Sequence, residues 1–167
     1  MGYRQLIIAR KDLNMSPGKL SAQVSHASMA FLTNLIRNEN NITPMTKRGF
    51  REWDDFNVYP DDNEIECYYF EYIFNKDLYE QWIDGIFTKT VCEAKNKNHL
   101  LKVAKMAEEL GLVENEDYFL IKDCCLTEIE PEEVDENGVG RTLTCIGFKP
   151  LPDEIAHKLS KKYQLYR

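Results

Sequence analysis

A lysine, a glutamine and a histidine stand at the start of the first long helical pattern, after an apolar run and a loop. Lys19, Gln23 and His26 follow the spacing i, i+4, i+7, so on an α-helix they share one face. A lysine near a helix N-terminus suits a phosphate or a developing oxyanion. His26 suits a general base. A solubilising lysine and a structural histidine are the alternatives, and the spacing alone leaves them open.

An aspartate at the end of a predicted strand is the second group able to do chemistry. Asp123 follows the strand 118–121, and in open α/β sheets ligands bind beyond the carboxyl ends of the parallel strands. We therefore expect Asp123 at the same rim as the loop 10–19. An ordinary turn-capping aspartate is the alternative. No general base stands beside Cys124 or Cys125 in the sequence, so nothing indicates that either thiol is a nucleophile. We interpret both as thiols that contribute to packing.

The elements that must position these residues alternate along the chain. Periodicity and stop signals predict strands at 3–9, 86–93, 118–121 and 142–148, and helices at 18–38, 76–84, 99–110 and 153–162. Such alternation is typical of α/β proteins with right-handed crossovers. We expect three α/β/α layers around a mixed, mostly parallel four-stranded sheet, with one antiparallel step between the last two strands.

One stretch interrupts this alternation. Residues 42–64 show no sustained period, so we expect a long surface excursion there. The aromatic run 65–74 carries no basic residues between its rings, so we expect it to pack in a core rather than to stack on bases. We interpret residues 1–167 as a single domain with an insertion around 40–75.

Composition excludes several classes of protein. No apolar segment approaches the roughly 20 residues that span a bilayer. The five cysteines form no Cys-x-x-Cys pair, which is typical of reduced thiols and a cytoplasmic protein. No His, Cys or carboxylate spacing resembles a zinc site, and no glycine-rich nucleotide loop is present, so we predict neither a metal nor a cofactor.

The net charge of −7 is unevenly distributed along the chain. Residues 1–37 carry five Lys/Arg and one acidic residue. The positive charge is therefore concentrated around the opening helix. A solvated surface with chance segregation of charge is the alternative.

Longer motifs make the chain resemble a known family. The run 18–27 reads Gly-Lys-x-x-x-Gln-x-Ser-His-Ala, the run 120–123 reads Leu-Ile-Lys-Asp, and Thr127 stands four residues after Asp123. The run 142–147 reads Thr-Leu-Thr-Cys-Ile-Gly. These motifs resemble peptidyl-tRNA hydrolase 2, the type typical of archaea and eukaryotes. The resemblance covers most of the chain apart from roughly 40–75.

The resemblance implies a metal-independent hydrolase that cleaves the ester between a peptide and the 3′ ribose of tRNA. It implies a mixed four-stranded sheet between helices and peptidyl-tRNA as the partner, with no membrane. The positions that match the family's active site are Lys19, Asp123, Thr127 and Thr142, with Gln23 and His26 beside them. The oligomeric state stays open, with a homodimer among the options.

This chain departs from the family pattern in two places. The family usually has Asp-Ala-Gly-Arg-Thr where residues 123–127 read Asp-Cys-Cys-Leu-Thr. A permissive glycine and a cation are missing, and Arg141 is our candidate replacement for the cation. The acidic insert 132–140 would repel a phosphate backbone if it lay near the site.

From these residues we expect a water activated for ester hydrolysis. Asp123 would orient or deprotonate the water, Thr127 or Thr142 would help to position it, and Lys19 would stabilise the oxyanion or bind the terminal phosphate. Two alternatives stay open. One is a relative without turnover that binds tRNA or protein, and the other is a hydrolase redirected to another ester or amide.

Overall fold

The computed structural model describes residues 2–38, 40, 42–50 and 60–167. Its strands are β1 Tyr3–Arg10, β2 Ile42–Phe50, β3 Pro60–Phe70, β4 Lys89–Ala94, β5 Tyr118–Asp123, β6 Glu133–Val134, β7 Gly140–Phe148 and β8 Leu151–Pro152. Its α-helices are α1 Pro17–Arg37, α2 Lys76–Leu78, α3 Lys97–Glu109 and α4 Asp153–Ser160, and a π-helical segment spans Tyr79–Ile86. The chain divides into two compact units, Leu35–Ile73 and the rest.

The main sheet has the strand order β4-β1-β7-β5, with β6 and β8 as short additions. The β1–β4 pairing is parallel, whereas β1–β7 and β5–β7 are antiparallel. The predicted mixed α/β sheet is confirmed, but the expectation that it is mostly parallel is wrong. The strands β1, β4 and β5 do run in one direction, as the crossovers require. The reason for the error is that β7 inserts between β1 and β5 and opposes both.

Helices cover both faces of this sheet. Side chains alternate along β1, so Ile7 and Ala9 pack with Ala27 of α1, while Leu6 and Ile8 face the other core. That second core takes its helical side chains from α3 and α4, including Leu100, Val103, Ala107, Ala156 and Leu159. A strand buried on both faces reads as a continuous apolar run, which is why β1 is recognisable in the sequence. The predicted three layers are confirmed.

The segment after the insertion is only partly the predicted helix. An α-helical turn, Lys76–Leu78, continues into the π-helical segment, where Trp82 is buried beside Phe31 with ring centroids 6.1 Å apart. Phe87 then takes a left-handed φ of 50°. Because of this turn, β4 begins at Lys89. The predicted start of the strand at Ile86 is therefore three residues too early.

The unit Leu35–Ile73 holds an antiparallel pair, β2 and β3, so the long surface excursion expected at residues 42–64 contains two regular strands that its lack of period did not indicate. Residues 51–59 of that stretch lie outside the described residues. Tyr68 and Ile73 are 72% and 86% exposed, and Tyr69 and Tyr72 are exposed too, so the predicted core role is wrong for most of the aromatic run. Phe74 at its end does pack against the core cluster of Phe31 and Trp82. Within the unit Leu35–Ile73, the described residues form only this pair of strands and the end of α1, which is less than the two packed layers that a core needs.

None of the helices among the described residues combines the length and the apolar character that a membrane span needs.

The close approach of β7 to α1 depends on one glycine. A Cβ at Gly147 would lie 2.8 Å from the carbonyl carbon of Ala27 and would overlap its oxygen. Backbone atoms cannot move aside as a flexible side chain can. The missing side chain at Gly147 therefore lets α1 lie directly on β7, which brings its first turns to the strand rim.

We predict that Gly147→Ala lowers the free energy of unfolding by about 1–3 kcal/mol, because the added methyl group pushes α1 away from β7. Urea unfolding measures the change. Gly18→Ala is the matched control, since its Cβ would meet only Ser16 Oγ at 4.0 Å. The control should be as stable as the wild type or slightly more stable. Equal stability of Gly147→Ala and the wild type would contradict the close packing.

Candidate active site

A lysine and an aspartate meet where β5 ends beside the first turn of α1. Lys19 Nζ lies 2.9 Å from Asp123 Oδ1, and each side chain is only 11% exposed. Lys19 Nζ also donates to Thr127 Oγ1 at 3.2 Å. The expectation that Asp123 shares a rim with the start of the opening helix is therefore confirmed.

Two further donors hold the Asp123 carboxylate. Gln23 Nε2 donates to Oδ2 at 2.6 Å, and the backbone N–H of Cys125 donates to Oδ1 at 2.8 Å. Burial is the largest single influence on the pKa of Asp123 and raises it. The hydrogen bond and charge of Lys19, with the donors of Cys125 and Gln23, outweigh burial and hold the pKa below its ordinary value. Asp123 is therefore ionised at neutral pH.

Three of the predicted site residues make no side-chain hydrogen bond or ion pair with Lys19 or Asp123 among the described residues, although Thr142 on β7 is the cross-strand partner of Asp123 on β5. The buried Thr142 hydroxyl donates to the Glu130 carbonyl at 2.7 Å and accepts from the Glu132 N–H at 2.9 Å, so it holds the loop after β5. Arg141 pairs with Asp135 at 2.8 Å and contacts the Cys124 thiol. His26 is exposed on α1.

Glu128 is a residue of this region that the sequence reasoning missed. Its carboxylate accepts from the Ser16 N–H at 3.0 Å and the Ser16 hydroxyl at 2.7 Å, and Ser16 Oγ accepts from the N–H of Lys19 at 3.2 Å. The hydrogen bonds from Ser16, with the charge of Lys19, lower the pKa of Glu128. A carboxylate of the chain thus lies at the α1 N-terminus, where the helix dipole favours negative charge. Ser16 and Pro17 signalled that end of the helix, but no local pattern signalled a partner 112 residues away.

The acidic insert is largely neutralised by cations of the same chain. Glu132 pairs with the buried Arg10 at 2.6 Å and with Lys97 at 3.1 Å. Glu133 pairs with Lys122, and Asp135 with Arg141. The repulsion of phosphate that the sequence suggested is therefore weaker than the count of carboxylates implies.

In the part of the chain that the structure describes, no three His, Cys, Asp or Glu side chains lie together in a way that could hold a metal ion.

Known proteins resemble this chain over nearly its whole length. The family model described as peptidyl-tRNA hydrolase PTH2 matches residues 3–166. Proteins named peptidyl-tRNA hydrolase from Methanopyrus kandleri and Thermoplasma acidophilum are 29% and 26% identical over 166 and 165 residues. A third, from Sulfolobus acidocaldarius, is 26% identical over 162 residues. Each alignment covers at least 97% of this chain and 98% of the relative.

The fold and the site define an α/β protein with a shielded lysine–aspartate pair at the carboxyl rim of its sheet. The family match spans nearly the whole chain, so the chain belongs to the peptidyl-tRNA hydrolase PTH2 family. The family resemblance that the sequence motifs indicated is confirmed.

The loop after Asp123 carries backbone strain at a position where the family pattern has glycine. Cys125 has a φ of 55°, a left-handed conformation that costs a residue with a Cβ about 1–2 kcal/mol. The Cys125 N–H nevertheless binds Asp123, so the strained turn is part of the site.

We predict that Cys125→Gly raises the free energy of unfolding by about 1 kcal/mol, because relief of the strain exceeds the entropy that glycine loses on folding. Urea unfolding measures it. Cys124→Gly is the control, since Cys124 does not adopt a left-handed φ, and it should lose about 0.5–1 kcal/mol. A Cys125→Gly variant less stable than the wild type would contradict this account of the loop.

Proposed function

We propose that this protein hydrolyses peptidyl-tRNA, cleaving the ester between the peptide and the 3′ ribose with a water activated at Asp123. The observation that carries the proposal is the Lys19–Asp123 pair, largely removed from solvent in a member of the PTH2 family. Hydrolysis of an ester needs a positioned water and a donor for the developing oxyanion. Asp123 can position the water, and Lys19 can donate to the oxyanion.

Asp123 has a place for the water. An ionised carboxylate offers about four acceptor positions, two on each oxygen. Among the described residues, Oδ1 accepts from Lys19 and Cys125, and Oδ2 accepts from Gln23. The remaining position lies on Oδ2, where a water can donate. Because its pKa is lowered, Asp123 orients this water more effectively than it removes the proton.

Lys19 keeps a donor for the substrate. An ammonium group has three N–H bonds, and among the described residues two of them reach Asp123 and Thr127. The third can donate to the oxyanion or to the terminal phosphate of tRNA. The Thr127 oxygen accepts from Lys19, so its own hydrogen is available to the water or to the ribose.

The other predicted residues take supporting roles in this proposal. Thr142 positions the loop after β5 through its bonds to the backbone of Glu130 and Glu132. His26 is exposed and is proposed to contact the substrate. Arg141 is proposed as the cation that the family has in place of Leu126, which is 86% exposed.

The cellular setting is also a proposal. We propose that residues 1–167 act as one catalytic domain with an insertion around 40–75, and that the protein works in the cytoplasm on products of translation. Its five cysteines are free thiols, which supports a reducing compartment. A homodimer is the oligomer that we propose to test by sedimentation.

We predict that Lys19→Ala and Asp123→Asn each lower the release of an N-acetylated amino acid from tRNA by about 10²–10³-fold. Radiolabelled N-acetyl-aminoacyl-tRNA measures the rate. Lys122→Ala is the control, since this half-exposed neighbour of Asp123 pairs with Glu133 instead. It should keep nearly the wild-type rate. An inactive wild type, or full activity in both site variants, would overturn the proposed function.

A further inference from the structure

A buried threonine on β7 contacts the residues around Asp123 and has no role in the mechanism above. The Thr144 hydroxyl lies 2.7 Å from Gln23 Oε1 and 3.1 Å from the carbonyl oxygen of Ile121. Thr144 is fully buried and Gln23 is 2% exposed. The nearer acceptor of its single hydrogen is therefore the Gln23 amide.

This hydrogen bond decides which end of the Gln23 amide faces Asp123. The two ends of a glutamine amide have similar size but opposite hydrogen-bonding character. With Thr144 donating to Oε1, the NH₂ group points to Asp123 Oδ2 at 2.6 Å. The flipped amide would place two acceptor oxygens at that distance, and it would leave Thr144 without its nearer acceptor.

The orientation matters because Oδ2 is the oxygen proposed to hold the water. Lys19 and the Cys125 N–H both bind Oδ1, so Gln23 is the donor that fixes the direction of Oδ2 among the described residues. If the Asp123 carboxylate could rotate about its Cβ–Cγ bond, the water on Oδ2 would approach the ester at a varying angle. Small misplacements of this kind slow a reaction without weakening substrate binding.

We propose that Thr144 is a positioning residue for ester hydrolysis, which orients the Gln23 amide so that Asp123 Oδ2 holds the attacking water. Thr144 touches neither the substrate nor the water and acts through Gln23 and Asp123. Its effect on the rate depends on the proposed function, whereas its effect on Gln23 does not.

The kinetic test compares two substitutions at Thr144 with N-acetyl-aminoacyl-tRNA as substrate, one that keeps the shape of the side chain and one that keeps its hydroxyl. Thr144→Val removes the donor and should lower kcat by about 10–100-fold with KM nearly unchanged. Thr144→Ser keeps the donor and should stay within about threefold of the wild type. Thr33→Val is the control, since that hydroxyl bonds only to backbone carbonyls of its own helix among the described residues. Equal losses in Thr144→Val and Thr144→Ser would overturn the proposal.

A double-mutant cycle separates positioning from general packing. If Thr144 acts through Gln23, Thr144→Val should cause little further loss of kcat in a Gln23→Leu background. Additive losses would overturn the proposal. Thermal unfolding of each variant identifies any that fails to fold. If Thr144→Val does not fold, Thr144→Ala, which also removes the hydroxyl that donates to Gln23, takes its place in the comparison with Thr144→Ser.

A measurement without substrate keeps this inference separate from the proposed function. The order parameter of the Gln23 side-chain amide, from ¹⁵N relaxation, should be about 0.85 in the wild type and in Thr144→Ser. It should fall below about 0.6 in Thr144→Val. An unchanged value in Thr144→Val would overturn the positioning role. If Thr144→Val shows this loss of order but the wild-type protein is inactive, the proposed function is overturned. The effect of Thr144 on the Gln23 amide would then still hold.

Discussion

The site depends on how a partly buried carboxylate is kept ionised. Burial alone would favour the neutral form of Asp123, and only the donors of Lys19, Gln23 and Cys125 reverse that preference. Two of these donors come from the first turns of α1, which must therefore lie close to the end of β5. The contact between Gly147 and the backbone of Ala27 allows this approach. The chemistry at the rim therefore depends on the tight packing of α1 against β7.

The charge around the site differs from what the net charge suggests. In the acidic insert, Glu132, Glu133 and Asp135 form ion pairs with cations of the same chain. The buried Arg10 pairs with both Asp12 and Glu132. Glu128 lies at the N-terminus of α1 instead. An acidic protein can therefore present Lys19 to an anionic substrate, because most of these carboxylates are already engaged.

The sequence predicted the opening helix, the shared rim and the convergence of Lys19, Gln23 and Asp123, because these follow from helical spacing and from strand direction. It did not predict that β7 lies between β1 and β5, since strand order is chosen by packing and not by local pattern. The pair β2–β3 was missed because its residues lack regular alternation. Thr144 was missed because one threonine in an apolar strand looks like any β-branched core residue. Thr142 kept its predicted place, but its hydroxyl binds the loop.

The most direct test of this account is the pKa of the Asp123 carboxyl group, measured by ¹³C NMR titration. We expect a pKa below the ordinary value of 3.8 in the wild type. We expect a higher pKa in Lys19→Met, because burial would then be opposed by fewer donors. The stability that the ionised carboxylate contributes should be present above the unfolded-state pKa and lost as the pH falls through the folded-state value. A wild-type pKa at or above 3.8, or no change of pKa in Lys19→Met, would show that Lys19 does not keep the buried Asp123 carboxylate ionised.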